Sequence, residues 1–179
     1  MTQALRAENF GPTSCLSLVG MAGAGKSTLG LLLAEALGFA HLDTDKVIEA
    51  HYGCALQDIL DRFGPAGFLD AEEMVVRQLF LRRTVVSTGG SVVYRPPAVA
   101  KLKSLGPVVH LDICQDTFLQ RVGSAENRGF VRLEGRDMTG VYEERTPLYR
   151  AAADFTVCTD TMPPEECVDN ILGWLGAGK

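Results

Sequence analysis

Apolar residues along the chain gather in short unbroken runs, and between these runs they recur at helical spacing. Cys15-Leu16-Ser17-Leu18-Val19 is an apolar run stopped by Gly20, which predicts a buried strand. From Lys26 the pattern changes to Leu29, Leu32, Leu33 and Ala36, a helix that ends at Leu37-Gly38, where glycine makes a good C-terminal stop. A strand near 39–42 precedes helical material at about 45–51, 55–63 and 68–81. Val85-Val86-Ser87-Thr88 predicts a strand broken by Gly89-Gly90, and Arg95-Pro96-Pro97 introduces a helix to about Ser104. Val108-Val109-His110-Leu111 is a further buried strand, followed by a helix carrying Phe118, Leu119 and Val122. A helix over about 141–153, a strand over 155–158 and a last helix opened by Pro163-Pro164 complete the series, with Val168, Ile171, Leu172 and Leu175 on one face of that helix. Short strands alternating with helices predict an α/β fold: a parallel sheet with helices on both faces.

Two segments escape this pattern. Residues 1–12 are polar, end in Gly11-Pro12 and are expected to form a flexible leader to a single domain over 13–179. Residues 123–140 carry charge of both signs, four glycines and no clean period. They suggest a mobile lid at about 123–137.

Composition narrows the class. At 179 residues, 46% hydrophobic and 22% charged, the chain fits one core. A net charge of −5 argues against general binding to nucleic acid or an acidic membrane, which requires a cationic excess. The five cysteines are odd in number, widely spaced and never in a C-x-x-C pair, as expected of unpaired thiols in a reducing compartment. No stretch has the apolar length of a signal peptide core or a membrane span. The expected location is cytoplasmic, with no membrane partner. His41, His51 and His110 lack metal-ligand spacing, and Trp174 would either pack on the fold or mark an oligomer contact.

The strongest chemical signal is Gly20-Met21-Ala22-Gly23-Ala24-Gly25-Lys26-Ser27, which fits G-x-x-x-x-G-K-[ST] between a strand and a helix. Glycines let backbone N–H groups converge on phosphate oxygens, and the helix N-terminus adds its dipole. Lys26 would bridge the β and γ phosphates, and the Ser27 hydroxyl would ligate Mg²⁺. This motif alone does not separate kinase, motor, transporter and switch. The modest length leaves little room for motor or transporter machinery, and Asp43-Thr44-Asp45 follows about 18 residues after the loop lysine, just past a short strand. Ligands of open parallel sheets bind beyond the carboxyl ends of strands. One carboxylate there can hold Mg²⁺ through water while the other orients a substrate hydroxyl.

Here the chain resembles the shikimate kinases. The resemblance covers nearly all of 14–175 and rests on Gly20 to Thr28, Asp43-Thr44-Asp45, Gly67-Phe68-Leu69-Asp70-Ala71-Glu72-Glu73, Ser87-Thr88-Gly89-Gly90, Arg128 and Glu144-Arg145-Thr146-Pro147-Leu148-Tyr149. It implies a three-layer P-loop kinase fold with a five-stranded parallel sheet and a mobile lid, and transfer of the ATP γ-phosphoryl group to an alcohol. By matching position it implies catalytic roles for Lys26, Asp45 and Arg128. Gly23, Ala24, Gly25, Lys26, Ser27, Thr28 and Arg121 would hold ATP, while Ser27 and Asp43 would serve Mg²⁺. Asp45, position 69, the Gly89 and Gly90 backbone N–H groups and Arg145 would meet the substrate.

Two substrate positions depart from the family pattern. The arginine of G-F-R-x-x-E is replaced by Leu69, and the triple glycine is Gly89-Gly90-Ser91. Leucine cannot form the bidentate pair that arginine gives a carboxylate. The lid differs too, with Gly129-Phe130-Val131 after Arg128. One cation fewer suits a zwitterion, its carboxylate on Arg145 and its ammonium on Asp45, Asp70 or Glu72. The expected acceptor is therefore a small hydroxy-carboxylate, with L-homoserine placed ahead of shikimate. Gluconate and adenylylsulfate kinases fit the Asp43/Asp45 and 144–149 motifs less well. A non-catalytic nucleotide-binding regulator is the alternative of another class. The oligomeric state is expected to be a monomer or weak homodimer.

Overall fold

The computed structural model describes residues 10–123 and 137–176. Five strands form one parallel sheet in the order β2-β3-β1-β4-β5: β1 Leu16–Gly20, β2 Ala40–Asp43, β3 Thr84–Ser87, β4 Val108–Asp112 and β5 Phe155–Cys158. All five residues of β1 are buried. This is why its sequence is a continuous apolar run and not an alternating one: a central parallel strand is covered on both faces. Parallel neighbours need crossover connections, supplied by α1 Lys26–Leu37, α2 Thr44–Tyr52, α3 Leu56–Gln78, α4 Pro96–Leu105, α5 Gln115–Gly123, α6 Met138–Ala152 and α7 Pro164–Leu175. Helices α1 and α7 pack together over the sheet, while α4 and α6 both reach β1. Strand β1 pairs with β3 on one side and β4 on the other. The chain turns outward in both directions from it, which places the loop after β1 at the sheet's switch point.

Each predicted strand is present within a residue or so at either end. The helical patches at 55–63 and 68–81 are the two halves of α3, which break at Gly64, where φ 67 and ψ 178 are not helical, ahead of Pro65. The kink matters to the packing. Residues Leu56, Ile59, Phe68, Leu69 and Val75 of α3 form a small apolar cluster with Ile48 of α2, separate from the main core that surrounds the sheet.

The expected leader is shorter than 1–12 on its described side, because Phe10 already packs on the main core, its ring 5.9 Å from that of Phe39. The rest of that leader and nearly all of the expected lid, Arg128 included, lie outside the described residues. Trp174 packs on the fold, stacked 4.9 Å from Phe155. Burial pushes His110 down to about 4, and it stacks on Tyr149 as a neutral core ring. The five thiols are free. No described helix is long and apolar enough to cross a membrane.

Gly30 lies on the buried side of α1, against the ends of β2 and β3. A Cβ there would overlap Ser87 Oγ and stand 2.6 Å from His41 Nε2. Those two atoms are themselves hydrogen-bonded at 2.9 Å, and Ser87 Oγ donates to the Lys26 carbonyl at 2.9 Å. Helix propensity alone would make Gly30→Ala stabilising by about 1 kcal/mol. Overlap with two hydrogen-bonded groups reverses the sign, so the variant is expected to lose about 1–3 kcal/mol in urea unfolding. Unchanged or raised stability would show that Ser87 and His41 give way freely.

Candidate active site

The loop between β1 and α1 needs glycine for two distinct reasons. Gly23 and Gly25 take φ values of 80° and 92°, in the region that suits residues without a Cβ. Gly20 has φ 148°, and a Cβ there would stand 2.5 Å from the Leu111 carbonyl oxygen of β4. Gly25 caps α1 with no side-chain hydrogen bond, which leaves the first N–H groups of that helix directed at the loop. Ala24 is buried beneath the loop, its carbonyl accepting from Thr159 Oγ1 at 3.1 Å.

Lys26 Nζ donates to the carbonyls of Gly20 and Met21 at 2.8 and 2.7 Å, drawn in against its own loop. Burial of the ammonium pushes its pKa down to about 8, against the opposing pull of Asp45 and Asp43. Ser27 Oγ donates to Asp43 Oδ2 at 2.8 Å. Asp43 Oδ1 accepts the Asp45 N–H at 3.0 Å and so caps α2. Asp45 is thereby fixed on the first turn of α2, facing Lys26. Burial, and next the Asp43 charge, push its pKa up to about 6, with Lys26 opposing.

Across from these groups, Arg145 is 1% exposed, a depth at which so large a cation is rarely held without partners. Its Nε donates to Tyr94 Oη at 3.2 Å, and its guanidinium lies 4.9 Å from the centre of the Tyr94 ring. Tyr94 Oη in turn donates to Glu144 at 3.1 Å. A side chain at position 90 would begin 3.4 Å from Arg145 Nη1, so Gly90 keeps that approach clear. Arg121 Nη1 donates to the Gly23 carbonyl at 2.7 Å, placing the arginine across the phosphate loop.

These groups share one cleft of about 420 Å³. Lys26, Ser27, Thr28, Asp43, Asp45, Gly23, Gly25, Gly89, Gly90, Arg121 and Arg145 all line it. Two expectations take a different form. The Gly89 N–H, expected at the substrate, donates to Thr44 Oγ1 at 3.1 Å. Leu69 is 6% exposed and belongs to the small apolar cluster; the apolar wall of the cleft is made by Leu56 and Phe68 instead. Sequence reasoning passed over Thr44, although it stands between the two aspartates, and Tyr94. It counted Ser91 as a departure without giving it a partner: Ser91 Oγ donates to Glu72 Oε2 at 2.8 Å. Among the described residues no group of three or more His, Cys, Asp or Glu could hold a metal. The Ser27 and Asp43 oxygens fit the different case of Mg²⁺, a hard cation carried largely by phosphates and water.

A strand-end cleft with a phosphate loop on one wall and a buried arginine opposite is the geometry of phosphoryl transfer to a small anion. The family profile described as shikimate kinase matches residues 22–176. The shikimate kinase of Synechococcus sp. (strain CC9605) is 40% identical over 162 residues, covering 88% of this chain and 80% of that protein. That of Pseudomonas entomophila (strain L48) is 39% identical over 160 residues, covering 88% and 93%. The solved structure of shikimate kinase from Acinetobacter baumannii in complex with shikimate superposes with a TM-score of 0.84 at 32% identity, over 96% of this chain and 97% of that one. With the profile spanning most of the sheet and the motifs in their places on it, the chain belongs to the shikimate kinase family.

Proposed function

We propose that the chain transfers the γ-phosphoryl group of ATP to an alcohol of a small hydroxy-carboxylate, with shikimate the first acceptor. The observation that carries the reading is the convergence of Lys26, the Ser27–Asp43 pair, Asp45 and Arg145 on one cleft. Asp45 takes the proton of the acceptor hydroxyl as its oxygen bonds to the γ phosphorus and the bond to the ADP oxygen breaks. Lys26 moves from its own carbonyls to the phosphate oxygens. Mg²⁺, held beside Ser27 and Asp43, would neutralise charge on the phosphates. Arg145 pairs with the acceptor carboxylate, already oriented by Tyr94. Arg128 is proposed to pair with the phosphates.

The order of acceptors given by sequence alone is reversed. The relatives named above are shikimate kinases and support shikimate, and none of them supports L-homoserine. L-Homoserine stays as a second reading on one specific observation: position 69 carries no cation, and Arg145 shares the cleft with the carboxyl of Asp45 while Ser91 bonds that of Glu72.

Purified protein assayed with ATP and Mg²⁺ against shikimate and L-homoserine tests both. Preference for shikimate is expected, and tight ATP binding without transfer to any hydroxy acid would favour a nucleotide-binding regulator. The free-enzyme pKa of about 6 at Asp45 sets the acid limb of kcat/KM. The base is active when ionised, so activity is full above that value and falls about tenfold per pH unit below it. Asp45→Asn is expected to lower kcat by roughly 10²–10⁴-fold. An acid limb unmoved from the ordinary carboxylate range, or full activity in Asp45→Asn, would remove Asp45 from the role of base.

A further inference from the structure

The turn that follows β3 meets Arg145 twice. Gly90 lies beside its Nη1, where a Cβ would stand 3.4 Å away, and four residues on, Tyr94 Oη accepts from its Nε at 3.2 Å. The turn itself is well held. Val92 and Val93 are buried in the main core, and the Tyr94 N–H donates to the Ser91 carbonyl at 3.0 Å. Tyr149, one turn beyond Arg145 on α6, donates its hydroxyl to the Gly90 carbonyl. Gly90 and Arg145 line the cleft, and Tyr94 is not among the lining residues. Tyr94 therefore touches the guanidinium without facing the acceptor.

A phenol has one hydrogen to give. Tyr94 gives it to Glu144 Oε2 at 3.1 Å, so a lone pair of its oxygen faces Arg145 Nε. Carboxylate, hydroxyl and guanidinium form a chain in which each bond polarises the next. Glu144 and Arg145 are successive residues of α6 and point about 100° apart, and Tyr94 is the group that joins them. Burial, as the first cause, raises the Tyr94 pKa above its ordinary value, so the hydroxyl keeps its proton at neutral pH. The ring adds a second constraint. Its centre lies 4.9 Å from the guanidinium carbon, and it packs against the small apolar cluster that contains Leu69.

Leucine at 69 makes this orientation decisive. Of the cations that line the cleft among the described residues, Lys26 and Arg121 are drawn to carbonyls of the phosphate loop, which leaves Arg145 to meet an acceptor carboxylate. A single arginine gives a carboxylate its bidentate pair only when the planar fork is presented squarely. One that had still to find its rotamer would lose side-chain entropy on binding. We propose that Tyr94, anchored by Glu144, is a positioning residue for acceptor specificity: by holding Nε it turns the Nη groups of Arg145 toward the acceptor carboxylate, and this fixed fork offsets the cation absent at position 69. The inference rests on the phosphotransferase reading with shikimate as acceptor.

The test is steady-state kinetics with ATP and two acceptors, shikimate and its methyl ester, in which the carboxylate charge is capped. Tyr94→Phe keeps the ring and removes the hydroxyl. Glu144→Gln leaves the tyrosine in place and reads the same chain of bonds from its far end. Tyr94→Phe should raise KM for shikimate about tenfold, the size of one hydrogen bond to a charged group, with kcat within about threefold and KM for ATP within about twofold. Glu144→Gln should raise the same KM about threefold. Tyr94→Leu, which also removes the ring, should cost about threefold more than Tyr94→Phe. The wild type should use the ester at least about tenfold less well than shikimate in kcat/KM, and neither Tyr94→Phe nor Glu144→Gln should change that lower value by more than about twofold. A merely structural loss would move ATP and both acceptors together. Equal losses on the acid and the ester, a rise in KM for ATP that matches the rise for shikimate, or an unchanged KM for shikimate in Tyr94→Phe would overturn the positioning role and leave the kinase reading standing. Transfer by the wild type to neither acceptor would overturn both that role and shikimate as the acceptor.

Discussion

Too little water reaches the ends of β1 and β3 for the charges gathered there, and the rest of the site is arranged around that shortage. Lys26, Asp45 and Glu72 are all shifted toward their neutral forms by burial as the first cause, even though opposite charges stand close by. The nearest groups answer this with hydrogen bonds from the protein itself. Lys26 uses two loop carbonyls, Asp43 uses Ser27 and the Asp45 N–H, and Glu72 uses Ser91. A phosphate or carboxylate entering this cleft meets donors already drained of bulk solvent, so each contact is electrostatically stronger than it would be at the surface. Preorganisation here is the same thing as desolvation tolerated by the fold.

Tolerance of that kind comes from the sheet. Paired on both sides and buried at every residue, β1 cannot shift without breaking two ladders, and Gly20 brings its end against the Leu111 carbonyl of β4. The phosphate loop therefore starts from a fixed point. Ser87, on the neighbouring strand, donates to the Lys26 carbonyl and ties the first turn of α1 to β3. Through this bond the nucleotide side and the Gly89-Gly90 turn, two residues beyond Ser87, share one anchor.

Much of this was legible in the sequence, because its signals are local. A glycine-rich loop between an apolar run and a helical period has one structural solution, and Asp43 and Asp45 have to follow a strand end to be useful. What escaped was set by contacts between distant segments. Nothing near Gly89 announces that its N–H belongs to Thr44, 45 residues earlier. Nothing near Leu69 announces that its side chain joins Ile48 in a cluster while Phe68, its neighbour, lines the cleft. Successive helical residues point about 100° apart, so a motif can place one of them at a ligand and the next in a core. Ser91 and Glu72 illustrate the same limit: two residues that look independent along the chain, 19 positions apart, are hydrogen-bonded in space.

The bend at Gly64-Pro65 gives α3 two duties, and with them the protein has two cores of unequal size. The larger stabilises the sheet and the nucleotide loop. The smaller, built from α2 and α3, has a wall on the acceptor side and shares no buried residue with the other. Substitutions in the smaller cluster can reshape what the cleft accepts while the strands beneath it keep their ladders. A division of that sort separates the tolerance of the acceptor wall from that of the nucleotide machinery: a loss of packing in one is not transmitted through shared buried side chains to the other.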